Sequence, residues 1–451
     1  MRSLLALLPL LAFAGDDTAL DRYVRQPDPA YRYQLVNAVR TPGFTTYFLD
    51  LTSQRWLTEA EVDRPEWRHS LIIIRPDAVE HQTGLLLIDG GSNDGKPPTA
   101  PDLFLSLLAM ETKTVVAQVK MVPNQPLKFA GEEKSRSEDS FVAYTWRRFL
   151  ETGDDRWPAR LPMTKAAVRA MDAVTDFCAT AQGGGVKVGR FVVAGGSKRG
   201  WTTWTTAAVD RRVVAIIPLV IDALNIEPSF IHHWRSYGFW SPAIQDYVDN
   251  GVMNWLGTPE WRQLLDIEDP YQYRDRVAIP KMLVNSSGDQ FFLPDSSRFY
   301  FDSLPGEKYL RYVPNTGHGL NTVDVPPDLL AFYQALLTCT PRPRFSWTVD
   351  RAAGTIRVRT MDEPSGVLLW QAANPEARDF RYDTIGPAWT SSPVSGENGI
   401  YSATLPTPAK GFAAFFLELT FPSGGVAPFR FTTEVVVTPD TYPFDPPAPQ
   451  K

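Results

Sequence analysis

Three side chains in this sequence carry what acyl transfer needs, and each stands where a strand-like run gives way to a turn: Ser197, Asp289 and His318. Ser197 lies in Gly195-Gly196-Ser197-Lys198-Arg199-Gly200, after the apolar run Phe191-Val192-Val193-Ala194 and before a helix-like stretch over 201–210. A sharp strand-to-helix turn pushes a serine hydroxyl out of the sheet, and the amides at the new helix N-terminus face the charge that develops during acyl transfer. A hydroxyl is a weak nucleophile, so it also needs a base within reach and a carboxylate to orient that base. Asp289 follows the run 281–284 through Asn285-Ser286-Ser287-Gly288, and His318 follows 308–313 through Pro314-Asn315-Thr316-Gly317.

The chain has five histidines, which narrows the choice of base. His69 lies inside a strand-like run, His81 in a hairpin, and His232 and His233 in an aromatic-rich segment; His318 alone follows a late strand between glycines. For the carboxylate, Asp295 in the same loop and Asp222 after an earlier strand compete with Asp289, which sits nearest its strand end. One oxyanion donor is expected at the backbone N–H of Lys198. The second is expected from Asp89-Gly90-Gly91-Ser92-Asn93, at Gly91 or Ser92, where glycines let the backbone approach a substrate. Arg199 occupies the place where a G-x-S-x-G motif has its last glycine, and Gly200 comes one residue late. The cations of Lys198 and Arg199 either face an anionic substrate group or anchor to a carboxylate of the aromatic-rich segment.

The elements that must position these residues alternate. Runs at 85–88, 114–119, 191–193, 213–217 and 281–284 are short and apolar or β-branched, with helix-like stretches between them, the pattern of a mostly parallel sheet covered on both faces. Before them, 44–51 and 67–74 read as an antiparallel pair. Within about 222–276 the strand rhythm stops and aromatics gather, which reads as a helical cap. Its Trp234 and Trp240 either line a substrate pocket or pack within the cap. Thr340-Pro341-Arg342-Pro343 breaks the chain, and short strands at 345–349, 355–359, 367–371, 413–420 and 429–437 predict a small all-β sandwich over 344–440. Residues 15–340 form the first domain, and 441–451 a Pro-rich extended tail.

At 451 residues, with 43% hydrophobic and 12% aromatic side chains, the chain can fill two cores. Its net charge of −6 argues against a nucleic-acid surface. No segment reads as a membrane span. Arg2, the apolar stretch 4–14 and the Ala12-x-Ala14 site predict an export signal over 1–14, cleaved near Ala14. Cys178 and Cys339 form one bridge after export or remain two buried thiols. The adjacent pair His232-His233 lacks the spacing of a metal site, and Gly183-Gly184-Gly185 lacks the lysine of a phosphate loop, so neither metal nor cofactor is expected.

The order Ser197, Asp289, His318 is that of α/β-hydrolase triads. Longer stretches resemble one family: residues 195–204, 288–297, 304–315, Ser137-Glu138-Asp139-Ser140-Phe141 with the residues to Trp146, and Trp370-Gln371-Ala372-Ala373-Asn374-Pro375 are similar to the PhoPQ-activated pathogenicity-related proteins. That resemblance implies an exported α/β-hydrolase-like domain with an appended β-sandwich, and it makes the glycine at 200 usual. It does not name a substrate. Peptidases of the wider fold hold a free amino terminus with paired glutamates, a part open to Glu132-Glu133 or Glu138-Asp139, which otherwise read as a solvated acidic loop. The sequence thus predicts a serine hydrolase acting on a peptide or ester; the competing expectation is a signalling or binding protein on the same scaffold.

Overall fold

The computed structural model describes residues 17–448, so the predicted export signal over 1–14 lies outside the described residues. Strands β1 (Arg32–Thr41), β2 (Phe44–Arg55) and β3 (Glu66–Pro76) form an antiparallel meander. Strands β4 (Thr83–Ile88), β5 (Val116–Val119), β6 (Arg190–Gly196), β7 (Val213–Leu219), β8 (Lys281–Ser286) and β9 (Lys308–Val313) pair in parallel in the order β5-β4-β6-β7-β8-β9. The meander joins this run where β3 pairs with β5. Strand β1 was missed in the sequence because it is largely exposed on an edge, and a strand without a buried face shows no alternation.

In β6 the period of two sends Phe191 and Val193 into one core layer and Val192 and Ala194 into the other. Helices therefore cover both faces. Of α1 (Ala19–Arg25), α2 (Leu103–Thr112), α3 (Glu138–Thr152), α4 (Arg160–Ala179) and α5 (Lys198–Val209), all but α2 build the first layer. Helix α2 packs in the second layer with a later helix at Val325–Leu337. Between β7 and β8 the expected cap forms from α6 (Ile226–Tyr237), α7 (Gln245–Asp249) and α8 (Pro259–Glu268), joined by 3-10 turns. The helix Val325–Leu337 is α9. Cys178, buried in the first layer on α4, and Cys339, exposed just beyond α9, are both free thiols, so neither expectation, one bridge or two buried thiols, holds.

The C-terminal strands are antiparallel and form a β domain of two sheets. Strands β10 (Phe345–Asp350), β11 (Thr355–Thr360) and β14 (Ile400–Thr404) make one sheet. The other contains β12 (Gly366–Asn374), β13 (Thr390–Pro393), β15 (Phe412–Phe421), β16 (Phe429–Thr432) and β17 (Val436–Thr438). The expected strand at 429–437 is thus two strands, because β16 and β17 pair with opposite ends of β15. A short helix, α10 (Tyr382–Ile385), lies between β12 and β13.

Strand β16 also pairs with β9, so one fourteen-stranded sheet runs from the parallel core into the C-terminal strands. At the seam Arg311 is buried, with Nε on Asp328 (2.8 Å) and Nη1 on Glu418 (2.7 Å). Tyr309 stacks on Phe431 with ring centroids 4.1 Å apart. Farther on, Tyr442 donates to His232 Nδ1 on α6 (2.8 Å), and Phe444 N donates to Arg235 O (3.2 Å), so part of the expected tail is laid along the cap.

Candidate active site

Strand β6 ends at Gly196 and α5 begins at Lys198, which leaves Ser197 as the whole turn, at φ +56° and ψ −127°. A non-glycine residue there is strained, and the surrounding bonds must hold it. Ser197 N donates to Leu219 O of β7 (2.8 Å). The late glycine has a steric cause: a Cβ on Gly200 would come within 2.9 Å of Gly195 O and 3.0 Å of Leu219 O. It is Gly200 that lies against the strands, so position 199 is free to carry an arginine.

The loop after β8 brings Asp289 and the loop after β9 brings His318 to the same sheet edge. His318 Nε2 lies 2.8 Å from Ser197 Oγ, and Nδ1 lies 2.8 Å from Asp289 Oδ2 and 3.0 Å from Oδ1. Asp289 is buried, and its Oδ1 accepts from the amides of Phe291 (2.7 Å) and Phe292 (3.3 Å). Phe291 lies against the imidazole at 4.3 Å between centroids. Gln290 was not singled out in the sequence, yet its Oε1 accepts from His318 N (2.8 Å) and its Nε2 donates to Asp383 of α10 (2.9 Å). Such an arrangement can deprotonate a hydroxyl and hold the resulting imidazolium.

The two competing carboxylates are engaged elsewhere. Asp295 binds Arg378 (2.6 Å) and His232 Nε2 (2.8 Å); burial works to raise its carboxyl, but the Arg378 guanidinium and the His232 N–H hold it well below the usual range. Asp222 is buried and accepts from Tyr300 (2.5 Å) and Tyr312 (2.6 Å). Burial pushes its carboxyl up to about 8 against the pull of the two phenols. An unfolded aspartate titrates near about 4, so the folded chain holds an extra proton between the two values. Its stabilisation is complete below about pH 4 and is lost as pH rises through about 8. Asp222→Asn is expected to melt at a temperature that falls less than the wild type's between about pH 5 and about pH 9; thermal melts with equal pH slopes would reject this.

Lys198 and Arg199 anchor to carboxylates, but not to those of the cap. Lys198 Nζ bridges Glu138 (2.7 Å) and Asp139 (3.1 Å), and Arg199 Nη2 reaches Glu138 (2.5 Å), all in the first turn of α3. Burial would raise the Glu138 carboxyl; the two cations overcome this and hold it down at about 2. The cap reaches α5 by another route: buried Arg160 pairs with Glu268 of α8 (3.2 Å) and donates to Lys198 O (2.7 Å). Glu132 pairs with Arg136 (2.6 Å), and Glu133 is exposed. Trp234 and Trp240 pack on each other at 5.1 Å inside the cap.

Gly91 has φ +147°, which favours glycine, and a Cβ there would meet Met121 at 3.0 Å. Among the described residues the amides of Gly91 and Ser92 donate no hydrogen bond to the protein. Both line a cleft of about 960 Å³ that extends over β2 and β3 past Arg68, Pro97 and Lys120; Ser197 and His318 are not among its lining residues. No group of three or more His, Cys, Asp or Glu among the described residues could hold a metal, and none of their helices is long and apolar enough to cross a membrane.

A doubly covered parallel sheet, a serine at the strand-to-helix turn and a cap inserted between β7 and β8 define a protein of the α/β-hydrolase fold. Acetyl xylan esterase from Paenibacillus sp. R4 shares that fold, with a TM-score of 0.51 and 14% identity over 73% of this chain and 96% of that one. Acetyl xylan esterase 1 from Thermoanaerobacterium sp. JW/SL YS485 aligns with a TM-score of 0.49 and 16% identity over 71% and 92%. The chain belongs to the PhoPQ-activated pathogenicity-related protein family, matched over residues 20–381. It is also 40% identical over 475 residues to autocrine proliferation repressor protein A of Dictyostelium discoideum, which covers 98% of this chain and 95% of that one.

Proposed function

We propose that this protein is an exported serine hydrolase acting on a peptide or ester. Ser197 Oγ bonds to the substrate carbonyl carbon while His318 Nε2 takes the hydroxyl proton, and Asp289 holds the imidazole through Nδ1. The N–H of Lys198 and that of Gly91 or Ser92 stabilise the oxyanion. Collapse breaks the bond to the leaving amine or alcohol, which receives the proton from His318. Water then repeats the sequence on the acyl-serine and releases the acid. The observation that carries this reading is the unbroken chain from Ser197 Oγ through His318 to Asp289, with both links at 2.8 Å. Export rests on the sequence of residues 1–14.

A fluorophosphonate probe is expected to label the wild type and spare Ser197→Ala. Folded wild-type protein that takes no label would overturn the reading. A second reading, a signalling or binding protein on the same scaffold, draws on the name of the Dictyostelium relative. It gains if Ser197→Ala keeps the full biological effect.

A further inference from the structure

The geometry points to Glu138 as a positioning residue that, through Gln125, fixes the loop Asp89–Asn93 that carries the second oxyanion donor. This rests on the hydrolase reading. Glu138 is the first residue of α3 and has φ +51°, a strained backbone for a side-chain-bearing residue, of the kind that persists only where neighbours over-determine it. Its neighbours come from two separate segments: from the elbow come Lys198 Nζ and Arg199 Nη2, and from the segment before α3 comes Gln125 Nε2 at 2.5 Å.

Gln125 cannot turn its amide around. Its Oε1 accepts from Glu138 N (2.7 Å), which leaves Nε2 facing the Glu138 carboxylate and the carbonyl of Gly91 (3.2 Å). That carbonyl and the N–H of Ser92 belong to one planar trans peptide and point in opposite directions. Pinning the oxygen therefore fixes the direction of that N–H, and Met121 N on Gly90 O does the same for the N–H of Gly91. The same loop is held to its neighbours by Met121 N on Gly90 O (2.9 Å) and Asn93 N on Gln125 O (2.5 Å), while Arg199 Nε binds Val122 O (2.6 Å). One carboxylate thus ties the helix that supplies the Lys198 amide to the loop that supplies the second donor amide. An oxyanion hole needs that fixed separation, because donors act only where the charge develops.

The test is steady-state hydrolysis of p-nitrophenyl acetate, with active sites counted by fluorophosphonate titration. Glu138→Gln and Gln125→Ala are each expected to lower kcat per titrated site by about 10- to 100-fold, toward the loss of one oxyanion donor. KM is expected to stay within about threefold, the mark of an interaction made in the transition state. Gln125→Ala keeps every ion pair of Glu138 and covers the case in which Glu138→Gln does not fold. The double variant is expected to lose no more than the worse single one, since both act through one relay. A structural role alone would lower the titrated fraction and leave the per-site rate unchanged, and that result overturns the proposal. If the wild type shows no Ser197-dependent labelling, the hydrolase reading falls and this role with it; labelled wild type with unaffected Gln125→Ala removes the positioning role alone.

Discussion

Asp289→Asn is expected to slow hydrolysis by about 10⁴-fold while leaving the melting temperature close to that of the wild type. The two carboxylate oxygens have different duties. Oδ1 takes the amides of Phe291 and Phe292, so an asparagine would keep its carbonyl there and present Nδ2 to the imidazole. An amide nitrogen cannot accept from Nδ1–H. His318 would answer by moving its proton to Nε2, where it faces Ser197 Oγ across 2.8 Å and can no longer take the hydroxyl proton. The side chain keeps its size and its backbone partners, so folding is spared. Single-turnover acylation at neutral pH reads the effect, and a rate near the wild type's would remove Asp289 from the mechanism.

The second large effect concerns stability: a chain stopped at Thr340 is expected not to fold cooperatively, although the sequence places a domain boundary there. Such a chain loses β16, and β9 becomes an open edge. Arg311 loses Glu418, and Asp295 loses Arg378, all of them buried. Removing one partner of a buried ion pair costs about 3–5 kcal/mol, and a whole domain is stable by only about 5–15 kcal/mol. The loops of the site lose support as well. Tyr382 N donates to Gly288 O (2.8 Å), Trp389 and Asn315 exchange two bonds of 2.9 Å, and Gln290 leans on Asp383. A sharp thermal transition in the 15–340 fragment would show that the first part stands alone.

The sequence made some of this legible and hid the rest for definite reasons. Ser197, Asp289 and His318 each follow a short apolar run with glycine nearby, a local signal of a strand end. The parallel core showed because β6 and its neighbours are apolar on both faces. Pairing across the seam did not show, since alternation reports which face of a strand is buried and not which strand lies beside it. Arg311 in β9 is polar where the pattern would ask for an apolar residue, and only Asp328 and Glu418, far away in sequence, explain it. Glu138 and Asp139 looked like a solvated acidic loop because their cations lie sixty residues on, at Lys198 and Arg199. Gln290, adjacent to Asp289, carried no signal of its own.

The contact of Tyr442 and Phe444 with α6 also has a meaning in time. Synthesis runs from the amino terminus, so α6 leaves the ribosome long before Tyr442 exists. Until then His232 has its Asp295 partner but no phenol on Nδ1. Ser197, Asp289 and His318 are likewise made before Tyr442 and Phe444. A nascent or clipped chain lacking 442–444 therefore lacks the two bonds these residues make to α6, and those bonds form only once the C-terminal strands have been laid down.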